Sequence, residues 1–421
     1  MAARRTDLGL VTLSVLALLL SGCSGQQPAL ATVVATSNGN PLSGVEISID
    51  DVAVGTTAAD GTITTDVPTD TPTTIAASKK FFVTPEVRSV SIEVAEATIE
   101  INLEPYVFVP DFGNNRIVRM PSVDSAVSEY EEVTSIPYVD GALETHALRG
   151  PVSLHTDYDN GFIYIVDAPD VDSAGVLLRL SDFPPAPDGS SAVAAFMTGP
   201  TTDDEVRGAQ QPLVLSDGTV ILVDYRAECC DDNFFSSRLV SIPPHLDYSG
   251  ATKGPWFTLT YLYGVTRLPD GTLLVVGGSA FDLDLFVLDD VSDADPAAFG
   301  NFTMGSGTDQ LVLPTRPVLA GDGAVYIGDT GFEAGSTTNS RIVRVDTSGD
   351  GFVSYGSQGS GRDQFANPVI LGILPDNRLY IMDVNNERLV RVDLSAFDGV
   401  SNWAESSDQA EFEFEYWYNF S

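Results

Sequence analysis

Short apolar runs of five or six residues, most of them closed by an acidic residue, recur along most of the chain. YVFVPD ends at Asp111, FIYIVD at Asp167, VILVD at Asp224, LLVVG at Gly277, VYIGD at Asp329 and LYIMD at Asp383. The intervals between these ends are 56, 57, 53, 52 and 54 residues. A polar loop and a second apolar run follow each one: RIVRM (116–120), VLLRL (176–180), RLVSI (238–242), LFVLD (285–289), RIVRV (341–345) and RLVRV (388–392). Five of the six are also preceded by a run that ends in a tight turn: PVSLHTDYDNG, PLVLSDGT, GVTRLPDGT, PVLAGDGA and PVILGILPDN. Such runs, bounded by Asp-Gly, Asn-Gly and Pro, read as short strands joined by turns. A fixed period of about 50 residues with strand–turn–strand–loop–strand content marks radial repetition of four-stranded blades. Six copies predict an all-β chain whose residues 105–421 form a six-bladed β-propeller.

The pattern is incomplete at both ends of the repeat. Blade one has no obvious innermost strand, and ATIEINLEP (97–105) is the candidate for it, which would fuse the propeller to whatever precedes it. The tail AEFEFEYWYNF (410–420) places Phe412, Phe414, Tyr416 and Tyr418 on one face and Glu411, Glu413 and Glu415 on the other. That alternation reads as an amphipathic edge strand, and the tail is assigned as the outer strand of blade six.

Upstream, residues 31–104 alternate on a different scale. Val45, Ile47 and Ile49, then Val90, Ile92 and Val94, then Ile99, Ile101 and Leu103 each mark one face of a strand. About seven strands in this stretch fit a small β-sandwich. Residues 1–22 are different again. Arg4 and Arg5 precede a mainly apolar run from Leu8 to Leu20, and then small residues lead to Cys23. The run suits the core of a signal peptide and is too short for a comfortable membrane span. Residues 23–30 are a short linker.

Three stretches resemble known families. Leu20-Ser21-Gly22-Cys23 resembles the lipobox of bacterial lipoproteins. That resemblance implies that Cys23 becomes the lipidated mature N-terminus, and acyl chains of this kind anchor a protein stably. Ser24 after it favours outer-membrane sorting in a Gram-negative cell. The turn residues Gly39-Asn40-Pro41-Leu42-Ser43-Gly44-Val45, with Gly55-Thr56-Thr57 and Asp60-Gly61, resemble carboxypeptidase-regulatory-like domains, which are non-catalytic sandwich modules. The repeats resemble NHL propellers, above all in YGSQGSGRDQFANPVILGILPDNRLYIMDVNNERLVRVD (355–393) and in MGSGTDQLVLPTRP (304–317). Blade four departs most, with Gly277 where the others carry Asp.

Charge narrows the choice of partner. Asp and Glu number 59 against 21 Lys and Arg, a formal charge of −38. Such a surface repels nucleic acid and anionic headgroups, so no nucleic acid is expected as a partner. It would accept Ca²⁺, for which carboxylates are suitable hard ligands, but Asp also fills turns for backbone reasons. DTSGDG (346–351) has the look of a Ca²⁺ loop without the distal Glu of an EF-hand. It reads as a turn, and no cofactor is predicted.

Catalytic chemistry is sparse. The repeated Asp111, Asp167, Asp224, Asp329 and Asp383 are expected to accept hydrogen bonds from loop amides and a facing Arg, in a structural role. The pairs Arg116/Arg119, Arg341/Arg344 and Arg388/Arg391 sit three apart on strands, so their members point to opposite faces and are expected to form ion pairs between blades. The three histidines, His146, His155 and His245, occupy non-equivalent blade positions. His155 lies on an innermost strand and is the candidate to face the central channel; His146 is placed in a loop. Gly-x-Ser-x-Gly and His-Glu-x-x-His are both absent from the sequence. The adjacent Cys229 and Cys230 are candidates for a vicinal disulfide in an oxidising envelope. Insertions at 168–175, 225–237 and 330–340 fall between second and third strands and so project from one propeller face. The expectation is an exported, membrane-anchored binding module that takes a protein, peptide or glycan on that loop face. The alternative is a metal-dependent lactonase or lyase working in the channel.

Overall fold

The computed structural model describes residues 28–421, apart from 70, 141, 169–173, 199–204, 207, 229–233, 259–260, 279–282, 331–338, 400–402, 407–411 and 415–421. Cys23, Cys229, Cys230 and most of the 168–175 and 330–340 insertions therefore lie outside the described residues. Among the described residues no helix is long and apolar enough to cross a membrane. The contacts divide the chain into two units, one up to Tyr106 together with Pro375–Asn377, the other from Val107 onward.

The first unit is a β-sandwich of two four-stranded sheets. One sheet contains Asn40–Pro41, Ala29–Ser37, Thr62–Val67 and Glu96–Asn102; the other contains Val52–Thr56, Glu46–Ile49, Thr73–Ser78 and Arg88–Val90. Alternation does the sorting, since successive side chains on a strand face opposite ways. Ala29, Ala31, Val33 and Ala35 point inward, as do Ile47 and Ile49 opposite them. The candidate for the innermost strand of blade one belongs here instead. Glu96–Asn102 runs parallel to Ala29–Ser37, in register from Leu30↔Glu96 to Thr36↔Asn102. Its one-sided pattern, with Ala97, Ile99 and Ile101 buried and polar residues between them, suits a sheet with one wet face.

The second unit contains six antiparallel blade sheets in chain order, with two-stranded pairings between some of them. Their second strands are Val107–Asp111, Phe162–Asp167, Val220–Glu228, Leu273–Gly278, Val325–Thr330 and Arg378–Asp383. These strands are apolar on both faces because each serves two cores. In blade three, Val220 and Leu222 pack with Tyr164 and Val166 of blade two, while Ile221 and Val223 pack with Val265 and Val275 of blade four. The core therefore lies between blades, and the period-2 geometry of one strand joins both neighbours.

Among the described residues four blades have four strands, blade three has five, with Thr252–Lys253 and Phe257–Thr258 both paired to its third strand, and blade one has three: Val107–Asp111, Arg116–Met120 and Glu131–Val133. The tail is not the outer strand of blade six, a place taken by Trp403–Glu405. The described tail residues, Phe412–Phe414, instead meet blade one. The Glu413 N–H donates to Asp111 Oδ1 at 2.8 Å, and the Gly113 N–H donates to the Glu413 carbonyl at 2.8 Å. A Cβ at Gly113 would fall 2.3 Å from the Glu413 side chain, which is why glycine stands there. The contact follows a repeat rule. In blades two, five and six an apolar residue (Leu148, Leu311, Phe365) is buried and the next amide (Arg149, Val312, Ala366) donates to the blade aspartate. Phe412, fully buried, and Glu413 take those two roles for blade one.

The arginine pairs divide their work. The first member bonds within its own blade: Arg116 to Asp111 at 2.6 Å, Arg341 to Asp329 at 3.0 Å, Arg388 to Asp383 at 2.8 Å. The second reaches the neighbouring blade: Arg119 to the Phe183 carbonyl at 2.8 Å, Arg344 to Asp398 at 3.3 Å, Arg391 to Ser122 Oγ at 3.4 Å. Arg344 meets the expectation of an ion pair between blades, while Arg119 also pairs with Glu131 of its own blade at 2.5 Å. The opposite-face geometry of residues three apart explains why the second members reach the neighbouring blade. Two further elements depart from the sequence reading. Residues 225–237 are largely paired rather than looped, with Tyr225↔Ser237 to Glu228↔Phe234 in register. An extra hairpin, Ser135–Asp140 with Ala142–Ala147, stands between blades one and two and carries His146 on a strand.

Candidate functional site

The repeated aspartates are spent on their own blades. Asp111, Asp167, Asp224, Asp329 and Asp383 are all at most 1% exposed. Asp224 pairs with Arg238 at 2.8 Å, and that guanidinium lies 4.2 Å from the Trp256 ring centre. Asp383 accepts from the Ala366 amide, Asn386 and Arg388. Blade two uses a histidine in place of the arginine: His146 Nε2 lies 2.7 Å from Asp167 Oδ2, and the Arg149 and Gly150 amides complete the set. His245 is exposed on a turn after the third strand of blade three, with left-handed backbone at φ 73°. In 346–351, Asp346 accepts from the Ser348 amide and hydroxyl and from the Asp350 amide. Those bonds close the turn and hold the Asp346 carboxyl below the usual carboxylate range.

The channel is where unspent polar groups meet. A cavity of about 230 Å³ is walled by residues from every blade, among them Phe108, His155, Gln211, Thr266, Arg316 and Leu371. It occupies the half of the channel nearer the tight turns. His155 and Thr156 fall late in Pro151–Asp157, whose start pairs with the blade aspartate and whose end pairs with Phe162 beside the turn. The cavity is therefore away from the end that carries the 168–175 and 330–340 insertions.

A local irregularity aims the side chains. Each of the five innermost strands changes register part-way, between Pro151/Ser153, Gln210/Leu213, Leu262/Gly264, Pro314/Pro317 and Ile370/Gly372. Proline cannot donate to a ladder and is tolerated at an edge or bulge, and a bulge redirects the side chains around it. In blade five the shift spans Thr315 and Arg316. Arg316 crosses to blade two, on the opposite side of the ring, where Nη2 donates to the Leu154 carbonyl at 3.3 Å and Nη1 to Ser153 Oγ at 3.5 Å. Its Nε–H is buried with no hydrogen-bond partner among the described residues. Arg316 is 6% exposed, and burial brings its pKa down to about 10, so it stays charged at neutral pH. Among the described residues no carboxylate lies within ion-pair range of it.

His155 borders the same cavity. Burial, and then the positive charge of Arg316, lower its pKa to about 4 against a weaker opposing pull from Asp157. The ring is neutral at pH 7. Gln211 is already committed, since its amide bonds the Val265 carbonyl and N–H at 3.1 Å each and ties blade three to blade four. The His155 shift has a consequence for stability. A base whose folded pKa lies below its unfolded value near 6.5 favours unfolding once protons are available, so stability is lost as pH falls from about 6.5 towards 4. The full shift corresponds to about 3 kcal/mol. His155→Gln is expected to remove that part of the acid sensitivity, measured as urea-unfolding free energy at pH 7 and pH 4.5 for both proteins. An unchanged pH slope would place His155 in a wetter setting.

The channel does not fit a metal centre. A cation beside His155 would meet the Arg316 guanidinium, and among the described residues no group of three His, Cys, Asp or Glu could hold one. Arg316 escaped notice in the sequence because its repeat position follows no pattern: the counterparts counted from the turn are Ser153, Gln211, Gly264 and Ile370. The available signal was a lone charge between two prolines in the innermost strand LPTRPVL.

No family model and no curated protein matches the chain. Solved structures do resemble it. A streptogramin B lyase is 15% identical, with a TM-score of 0.33, over 62% of this chain and 71% of that one. A gluconolactonase from Xanthomonas campestris, XC5397, is 14% identical, with a TM-score of 0.42, over 66% and 78%. Regucalcin, a calcium-binding protein from Agrobacterium tumefaciens, is 14% identical, with a TM-score of 0.39, over 74% and 88%. At these levels of identity and overlap, neither activity nor ligand carries over to this chain.

Proposed function

We propose that the protein is a ligand-binding β-propeller of the cell envelope, anchored by lipid on Cys23, which holds a small molecule in its central channel. The supporting observation is the cavity itself, walled by all six blades and containing a buried guanidinium and a neutral imidazole. Clefts with apolar walls and a few convergent polar groups are the usual form of a small-molecule site. A metal-dependent lactonase or lyase is the weaker reading, because Arg316 would repel the metal where His155 would bind it.

A thermal-shift screen of small polar and amphipathic molecules tests the site. Compounds that bind raise the midpoint by mass action, and Leu371→Trp, which fills the cavity, is expected to remove the effect. Metal-dependent turnover abolished by a channel substitution would overturn the reading. The anchor is tested separately: Cys23→Ala is expected to move the protein out of the membrane fraction, and an unchanged distribution would exclude lipid at Cys23.

A further inference from the structure

We propose that the channel ligand is a small monocarboxylic acid with an apolar body, its carboxylate seated on Arg316. This rests on the channel-binding reading above and specifies the class of molecule. A guanidinium does not shed its proton within a protein, so Arg316 is a fixed positive charge. Buried charges are ordinarily paired, and this one has only a carbonyl at 3.3 Å and a hydroxyl at 3.5 Å, both at the long end of hydrogen-bond range. Among the described residues the Nε–H has no hydrogen-bond partner. Arg116, Arg238, Arg341 and Arg388, by contrast, each pair with a blade aspartate at 3.0 Å or less.

The chemistry of the walls selects among anions. A planar carboxylate can accept from a guanidinium in two parallel bonds. One guanidinium balances one negative charge. A phosphate dianion would leave a charge over in a cavity whose remaining walls include Phe108, Leu213, Leu371 and Ile373. Those side chains suit the apolar body of an acid. His155, neutral beside the site, can donate or accept a hydrogen bond without adding charge.

Isothermal titration calorimetry on the full chain, with hexanoate and benzoate as probes, tests the assignment against hexanamide, benzamide and inorganic phosphate. At least one acid is expected to bind, with its amide at least about tenfold weaker, since a charge-assisted pair is lost. Arg316→Gln is expected to weaken the acid by at least about tenfold on the same ground. Should that variant fail to fold, proton NMR of His155 in the unaltered protein gives the second readout. A seated carboxylate cancels the field of Arg316 and raises the His155 pKa above about 4. Amides that bind as tightly as acids, or an unmoved His155 titration, would overturn the carboxylate assignment and leave the channel site standing. Phosphate binding in preference to the acids would also overturn it. If neither these probes nor any compound of the thermal-shift screen binds, both readings fail.

Discussion

Asp329→Ala is expected to destabilise the propeller by about 3–5 kcal/mol, the range for breaking a buried ion pair from one side. The carboxylate accepts from the Val312 amide at 2.8 Å, the Leu313 amide at 3.3 Å, Asn339 at 3.3 Å and Arg341 Nε at 3.0 Å. Removing it orphans donors on two segments, 312–313 and 339–341, each with its own desolvation cost. Arg341 would keep its bonds to the Ser306, Gly307 and Gln310 carbonyls, so the fold should survive with lower stability. Asp329→Asn, which retains an acceptor but not the charge, is expected to lose less. Urea unfolding of the propeller unit measures both. A loss under about 1 kcal/mol, the size of an ordinary hydrogen bond, would mean that the carboxylate is not a structural lock, and a ligand role for the ring of aspartates would return.

Phe412→Ala is expected to cost about 3–5 kcal/mol, as for other fully buried aromatic side chains. Phe412 has no exposed surface, and its ring lies 6.3 Å from Tyr130 and 5.4 Å from Phe414, stacked on both. It also positions the Glu413 amide on Asp111, so its loss loosens the link between the tail and the first blade. The same substitution at Phe365, its counterpart in blade six, should cost a similar amount. Comparable urea-unfolding losses in the two variants would support the equivalence. A near-neutral Phe412→Ala would place residues 412–414 away from blade one.

The tail shows where one-dimensional reading stops. Alternating Phe and Glu identify a strand-like segment with one apolar face, but period 2 contains no information about which edge accepts it. The same holds for 97–105, whose alternation fits a sandwich edge and a propeller edge equally well until Ala29–Ser37 is seen beside it. The hairpin at 135–147 was within reach. Asp140-Gly141 between alternating residues is a strong short-range hairpin signal, and it would have moved His146 from a loop onto a strand.

Sequence alone determined the six blades, their order and the aspartate–arginine bonds within four of them. These are short-range properties, set by hydrophobic period, turn residues and the reach of a side chain across one hairpin. Only the tertiary structure decided what meets at the axis. Arg316 and Ser153 are 163 residues apart, and ring closure sets blade two opposite blade five. No local pattern encodes that distance, so the charge that defines the candidate site became visible only when the ring was closed.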